Sequence, residues 1–209
     1  MDRRDHWNRV YQAKASDSVS WYQQRPDLSI ELIAACGVGK DAGIIDVGGG
    51  ASVLVDHLLE LGYTSLAVLD ISSAALRVSR SRLGVNAASV EWFEADVTSF
   101  EPPHRYALWH DRAVFHFLTD AGDRARYIAT LHKAVQPKGA VIIATFAPDG
   151  PPKCSGLDVV RYDERSIAAE LGKEFRIRGV RPETHITPAK AEQRFNYFRF
   201  SRAATISLP

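Results

Sequence analysis

Three consecutive glycines, Gly48 to Gly50, follow an apolar run that ends in Asp46 and Val47. Glycine in a strand-to-helix turn permits positive φ and removes the Cβ that would keep a ligand away from the backbone. The carboxylate of Asp46 beside that turn would repel a phosphate and attract an ammonium or sulfonium group. The stretch is therefore a candidate binding site for a small ligand that carries a positive charge.

Two further acids, Asp70 and Asp96, close the next two apolar runs. Asp70 in "AVLDIS" is placed to accept hydrogen bonds from both ribose hydroxyls of an adenosine. Asp96 in "FEADVTSF" could accept from an adenine amine while the Val97 N–H donates to a ring nitrogen. A tight turn, a helix N-cap and a loop acid are the alternatives for these features taken singly. Their order along the chain favours an adenosine ligand.

The stretch "WHDRAVFHF" adds titratable groups after the fourth apolar run. His110 or His116 could take a proton from a substrate, and Asp111 could orient a cationic group. Alternatively, Arg112 pairs with Asp111, and His116 packs among the neighbouring phenylalanines. No third histidine lies nearby and the two cysteines of the chain lack metal-ligand spacing, so no metal site is predicted.

These residues fall at the ends of short apolar runs that alternate with helical patterns, which predicts βαβ units and a mostly parallel sheet. Strands are predicted over 43–47, 65–69, 89–94, 105–110 and 139–146, with helices in 54–61, 120–135 and 163–171. The last two predicted strands, "EFRIRGV" and "QRFNYFRFSRA", have no helix between them. Because a parallel return needs a long crossover, these two strands are expected to pair antiparallel.

Composition narrows the classes of function. The chain has 209 residues, 45% of them hydrophobic, and a formal charge of +1. We expect one domain over 1–209, with no large electrostatic surface for nucleic acid or an anionic membrane. Two cysteines, no signal-peptide pattern and no long apolar run predict a cytoplasmic protein.

The glycine turn also separates two classes of adenosine cofactor. A dinucleotide site favours the pattern G-x-G-x-x-G, whose last glycine lets helix and strand pack around a pyrophosphate. Val53 occupies the position of that last glycine, and Asp46 would repel the pyrophosphate. An NAD-type oxidoreductase is therefore disfavoured relative to a protein that binds an adenosine sulfonium.

Several motifs together resemble those of class I S-adenosylmethionine-dependent methyltransferases. The segment "IIDVGGGAS" resembles the first motif of that family, "LAVLDIS" its ribose motif and "EWFEADVTSF" its adenine motif. Likewise "YALWHDRAVFHFL" resembles the fourth-strand motif beside the transferred methyl, and "LHKAVQPKGAVIIATFAP" the helix and strand that follow. Ser52 stands where family members carry a further glycine. The resemblance implies an α/β, doubly wound, mostly parallel seven-stranded sheet with an antiparallel last strand, in a core over 43–203.

The N-terminal segment, 1–36, more weakly resembles the helical cap of thiopurine, thiol and protein-lysine methyltransferases, which closes over the cofactor. It carries four large aromatic residues, of which Tyr11 and Trp21 are predicted to contact the methionine end of the cofactor. The remaining two, Trp7 and Tyr22, are expected to dock the cap on the sheet.

The resemblance implies S-adenosylmethionine as cofactor and transfer of its methyl group to a small-molecule thiol, amine or oxygen. A protein lysine is the alternative acceptor, and a non-catalytic cofactor-binding module is a lower one. The predicted cofactor site comprises Tyr11, Trp21, Asp46, Val47, Gly48, Gly49, Gly50, Asp70, Ile71, Asp96, Val97, His110 and Asp111, and the predicted catalytic residues are Asp111, His116 and His110.

Overall fold

A computed structural model describes residues 2–204; Met1 and 205–209 of the predicted domain lie outside the described residues. The helices are α1 (Arg3–Ala13), α2 (Asp27–Ala35), α3 (Leu54–Glu60), α4 (Ser73–Leu83), α5 (Ala121–Ala134) and α6 (Glu164–Leu171). The strands are β1 (Ile44–Val47), β2 (Leu66–Asp70), β3 (Val90–Glu94), β4 (Tyr106–Arg112), β5 (Val135–Phe146), β6 (Lys153–Cys154), β7 (Leu157–Asp158), β8 (Phe175–Ile186) and β9 (Glu192–Arg202). Across residues 2–204, no helix has the length and apolar character needed to cross a membrane.

Seven strands form one sheet in the order β3-β2-β1-β4-β5-β9-β8. Strands β1 to β5 pair in parallel, whereas β9 runs antiparallel to both β5 and β8. This sheet confirms the predicted Rossmann-like fold with its antiparallel end. The predicted cap contains α1 and α2.

Several helix termini follow directly from the local sequence. The side chains of Ser72, Asp120 and Asp163 accept hydrogen bonds from backbone N–H groups in the first turns of α4, α5 and α6. Such caps satisfy N–H groups that have no partner within the helix. At α6 the cap is reciprocal, because the Ser166 hydroxyl also accepts from the Asp163 N–H.

The structure differs from the prediction mainly after α5. Strand β5 begins at Val135 rather than at residue 139, and its register with β4 shifts between Tyr106 and Leu108. Strand β8 extends to Ile186, because the pairing with β9 continues as far as Glu192. The strand is therefore longer than the predicted segment "EFRIRGV". The polar loop after β5 contains a short hairpin, β6–β7, that the sequence pattern did not indicate.

A hydrophobic core lies on each face of the sheet. Trp109 packs with Tyr127 and Leu131 of α5, whereas its neighbour Leu108 packs in the other core with residues of α2 and α3. Successive side chains of a strand point to opposite faces, so β4 supplies both cores in turn. The same alternation decides which polar residues at the end of β4 reach the functional site.

Candidate active site

The cleft of this fold lies where the strand order reverses. Strand β1 is hydrogen-bonded to β2 on one side and to β4 on the other, and ligands of open α/β sheets bind beyond the carboxyl ends at this point. A cavity of about 780 Å³, partly open to solvent, occupies that place. Of the predicted site, it is lined by Tyr11, Trp21, Val47, Gly48, Asp70, Ile71, Asp96 and Val97.

A second cavity of about 580 Å³ adjoins the first at five shared residues. It is lined by three further members of the predicted site, Asp46, Gly49 and His110. The shared residues are Tyr11, Trp21, Val47, Gly48 and Arg112. The two cavities together form one cleft, with the glycine turn at its centre.

The glycine turn is required for steric reasons. Gly48 has φ of +69°, and a Cβ built there would overlap a methyl group of Val114. A Cβ at Gly50 would overlap the carboxylate of Asp70, to which the Gly50 N–H donates at 3.0 Å. Gly50 lines neither cavity, so its contribution to the site is to bring the turn against Asp70.

The Asp70 carboxylate lies at the end of β2 and is 8% exposed. Besides Gly50, it accepts from the Ser72 N–H at 2.7 Å. Burial raises its pKa to about 6, partly offset by these backbone donors. Each carboxylate oxygen has a second lone-pair direction, so the group can still accept two hydroxyls from the cavity.

Asp96 lies after β3 and is held by its own loop. Its Oδ1 accepts from the backbone N–H and the hydroxyl of Thr98 at 2.8 and 2.7 Å. Its Oδ2 lies 3.8 Å from Nη1 of Arg3, beyond hydrogen-bonding distance. Asp96 therefore keeps one oxygen available to a donor such as an adenine amine.

Asp46 does not stand alone beside the glycines as the sequence suggested. Its Oδ1 is 2.7 Å from Nδ1 of His110, and Nε2 of His110 is 3.0 Å from the Ser29 hydroxyl. All three side chains are buried, yet all three line the second cavity. The arrangement fixes the orientation of the imidazole.

Asp111 lies on the opposite face of the sheet from His110. It accepts from the N–H groups of Val114 and Phe115 and from the Tyr127 hydroxyl, at 2.9, 3.1 and 2.7 Å. It is fully buried, and burial raises its pKa to about 6. Because Asp111 lines neither cavity, this geometry favours a structural role over the predicted cofactor-binding and catalytic ones.

His116 is likewise placed outside both cavities. Its ring packs against Phe117, Phe146 and Phe195, and Nδ1 faces the Phe146 N–H at 3.3 Å. Burial, with a contribution from the positive charge of Arg112, lowers the pKa of His116 to about 3. This environment matches the packing alternative and does not support the predicted role as general base.

Helix α1 covers the cleft. Trp7 packs edge-on against Trp21 and Phe117, with ring centroids 5.6 and 5.0 Å apart, and all three rings line the larger cavity. The Trp21 indole N–H donates to the Tyr11 hydroxyl at 3.1 Å. Contrary to the expectation for Trp7, its ring lines the cleft rather than only docking the cap.

The predicted site did not include three other residues that line the cleft, Cys154, Phe117 and Arg112. Cys154 reaches it through the β6–β7 hairpin, and burial raises the pKa of its thiol to about 11. One alternative paired Arg112 with Asp111, but in the structure Arg112 donates to the Tyr197 hydroxyl and the Trp21 carbonyl. It lies one residue further along β4, on the same face of the sheet as His110. Because side chains alternate along a strand, residues two apart share a face, and this spacing could have placed Arg112 with His110.

No group of three or more histidine, cysteine or acidic side chains suited to a metal ion occurs among residues 2–204. The cleft does suit an adenosine sulfonium. A side-chain-free turn, a buried carboxylate with spare acceptor capacity and a second acid with a free oxygen follow one another at adjacent strand ends.

Comparisons with known proteins agree with this geometry. Residues 44–139 match the family model described as a methyltransferase domain. The chain is 24% identical over 135 residues to malonyl-[acyl-carrier protein] O-methyltransferase 1 of Ilyobacter polytropus. That match covers 64% of this chain and 48% of the relative, so the chain spans about half of its length.

Solved structures share the fold over nearly the whole chain. A protein described for the conversion of a disulfide bond into a thioacetal group during echinomycin biosynthesis superposes with a TM-score of 0.78 at 15% identity, covering 99% of this chain and 94% of that one. The 1,6-didemethyltoxoflavin-N1-methyltransferase of Burkholderia thailandensis gives 0.67 at 19% identity, with 93% and 81% covered. The family match and the fold agree: residues 44–139 match a methyltransferase domain, and the chain shares the fold of these solved structures.

Proposed function

We propose that this protein transfers the methyl group of S-adenosylmethionine to a small-molecule nucleophile. The observation that carries the proposal is that Gly48, Asp70 and the Asp96–Val97 pair, from three adjacent strand ends, line one cleft. The bound cofactor supplies an activated methyl on a sulfonium. The protein then needs to align an acceptor and exclude water.

In this proposal Asp70 accepts the ribose hydroxyls, and the free oxygen of Asp96 accepts the adenine amine. The turn at Gly48 lets the backbone approach the sulfonium, and Asp46 contributes negative charge on the same side. Tyr11 and Trp21 close the cleft from above. Each role uses a polar atom or a steric gap that the described residues leave available.

His110 is the general base that this geometry favours among the three catalytic candidates. Asp46 holds its Nδ1–H, which leaves the lone pair on Nε2, where the Ser29 hydroxyl is the neighbour. When the acceptor atom carries a proton, the Nε2 lone pair takes it, directly or through the Ser29 hydroxyl, while Asp46 stabilises the resulting imidazolium. An acceptor that is already unprotonated needs no such step.

A small acceptor is favoured over a protein lysine because α1 and its aromatic side chains cover the cleft. One structure with the same fold was solved with bound 1,6-didemethyltoxoflavin and S-adenosylhomocysteine, a small ligand beside the demethylated cofactor.

Calorimetric titration with S-adenosylmethionine and S-adenosylhomocysteine tests the cofactor, with NADH as the competing cofactor class. We expect both adenosine sulfur compounds to bind and NADH not to bind. A screen with radiolabelled methyl donor against thiols, amines, carboxylates and cell protein then tests the acceptor. Binding of NADH alone would refute the proposal, and label transferred only to protein would replace the small acceptor with the lysine alternative.

A further inference from the structure

Arg112 ends β4 at the junction of the two cavities and lines both. Its side chain is 10% exposed. Nε donates to the Tyr197 hydroxyl at 2.8 Å, and Nη1 donates to the Trp21 carbonyl at 3.0 Å. The guanidinium also lies over the Phe195 ring, 4.6 Å from its centroid. Three contacts, two from β9 and one from the segment that carries Trp21, therefore fix this cation in one orientation.

The second terminal nitrogen, Nη2, is buried and has no hydrogen-bond partner among residues 2–204. Glu183 forms an ion pair with Nη2 at 3.6 Å, a distance that is longer than a hydrogen bond. A buried donor without a partner is unfavourable, and a charged one more so. The planar fork of a guanidinium matches a carboxylate, which could satisfy Nη2 from the cleft.

The part of the larger cavity next to Arg112 is apolar. Trp7, Trp21 and Phe117 form its walls, and Cys154 adds a thiol. Aromatic side chains of this kind suit an apolar, aromatic ligand. The other cationic side chain of this cavity, Arg3, is already paired with Asp123 at 2.5 Å.

This region is separate from the predicted adenosine region. Strand β1 lies between β2, which carries Asp70, and β4, which carries Arg112. Neighbouring strands lie about 4.8 Å apart, so the two strand ends are roughly 10 Å apart, and β3 is further still. A cofactor held at Asp70 and Asp96 therefore leaves the aromatic walls near Arg112 for the acceptor.

We propose that Arg112 binds the carboxylate of a planar aromatic methyl acceptor, whose apolar part lies against the cavity wall formed by Trp7, Trp21 and Phe117. This inference rests on the proposed methyl transfer and names the substrate class of the same cleft. The cofactor carries a carboxylate too, so the experiment separates the two sources of that group.

The first arm titrates 2-naphthoate and its neutral analogue 2-naphthamide into protein saturated with S-adenosylhomocysteine. We expect the wild type to bind the carboxylate about 10- to 100-fold more tightly than the amide, as one charge-assisted contact allows. Arg112→Gln should remove this preference, and Arg112→Lys should retain part of it.

Arg202→Gln is the matched control. Arg202 is 12% exposed, lies 3.7 Å from an acid and lines neither cavity, so it resembles Arg112 in burial and charge but not in position. This variant should keep the wild-type preference. Melting temperatures of all variants show whether each remains folded, and the wild-type comparison needs no variant.

The second arm compares S-adenosylhomocysteine with 5′-methylthioadenosine, which lacks the amino acid part. We expect Arg112→Gln to change the affinity of neither by more than about threefold. Loss of S-adenosylhomocysteine binding with unchanged 5′-methylthioadenosine binding would assign Arg112 to the cofactor and overturn the proposal. The proposal would also be overturned if the wild type bound naphthoate no more tightly than naphthamide, or if it bound neither compound. Failure of the wild type to bind S-adenosylhomocysteine would instead refute the proposed function.

Discussion

Replacing Asp70 with asparagine tests the proposed ribose contact most directly. The substitution keeps the size of the side chain but turns one acceptor oxygen into an amide donor. That amide group would face either the Gly50 N–H or the Ser72 N–H, both of which donate to the carboxylate. We therefore expect a lower melting temperature in addition to weaker cofactor binding.

The size of the binding effect follows from the lost acceptor. A hydrogen bond to a charged group contributes about 1.5–3 kcal/mol. A tenfold change in a dissociation constant corresponds to about 1.4 kcal/mol, so the loss of one ribose contact should weaken S-adenosylhomocysteine binding roughly 10- to 150-fold. Asp70→Ala removes both acceptor oxygens and should weaken binding further. Isothermal titration calorimetry measures the dissociation constants.

Asp111→Asn is a matched control. Asp111 is also buried, its pKa is also about 6, and it too accepts from two backbone N–H groups. It lines neither cavity, so its substitution should lower the melting temperature and leave the dissociation constant within about threefold. Equal weakening in both variants, or unchanged binding in Asp70→Asn, would refute the assignment of the ribose to Asp70.

The same carboxylate predicts a pH dependence of cofactor binding. Burial raises the pKa of Asp70 to about 6, and ribose hydroxyls donate only to the ionised form at full strength. Binding is therefore strong above pH 6 and weakens as the pH falls through 6, to about a tenth of the neutral-pH affinity at pH 5. Asp70→Asn should remove this dependence, whereas Asp111→Asn should keep it.

Three further predictions follow from the geometry. Gly48→Ala should abolish cofactor binding, measured by calorimetric titration, because the new Cβ overlaps a methyl group of Val114 and the residue has a positive φ. Gly62→Ala is the control: Gly62 also has a positive φ, but a Cβ there meets no atom of the described chain within 4 Å, so only the melting temperature should fall. For an acceptor that carries a proton, His110→Asn should lower the methyl-transfer rate about 10²-fold or more, whereas His116→Phe should leave the rate near wild type. A larger loss of rate in His116→Phe than in His110→Asn would restore His116 as the base. Asn8→Ala removes the hydrogen bonds that the Asn8 side chain accepts from the Ser72 hydroxyl and the Ala74 N–H. We expect faster dissociation of S-adenosylhomocysteine in stopped-flow measurements. An unchanged dissociation rate would contradict the idea that α1 must open before the ligand leaves.

The parallel strands were predictable from the sequence because short apolar runs recur as far as β5, with helical spacing before β2 and before β5; β3 and β4 follow one another without a helix. The antiparallel end followed from the missing crossover helix between β8 and β9. The hairpin β6–β7 was not predictable, since two-residue strands leave no periodic pattern. Its position matters, because it carries Cys154 into the cleft.

The site was predictable where a residue type has a positional reason. Gly48 and Asp70 follow strands at the switch point, and the structure places both in the cleft. The predicted residues that line neither cavity, apart from Gly50, are Asp111 in β4 and His116 shortly after it. His110 pairs in register with Asp46 and shares its cavity, whereas Asp111 points to the opposite face, towards Tyr127. Strand parity separates these two adjacent residues.

Helix α1 connects the two ends of the cleft, so opening it would expose both. Its Asn8 side chain accepts from the hydroxyl of Ser72, two residues after Asp70. Its Trp7 ring packs on Phe117, in the apolar part of the larger cavity. Because both contacts lie on consecutive residues of one helix, a displacement of α1 would break both. If the proposed ligands bind as argued, the demethylated cofactor and the methylated product share one exit. A single motion of α1 would then limit the release of both, which makes the chemical step and the turnover rate separable in single-turnover experiments.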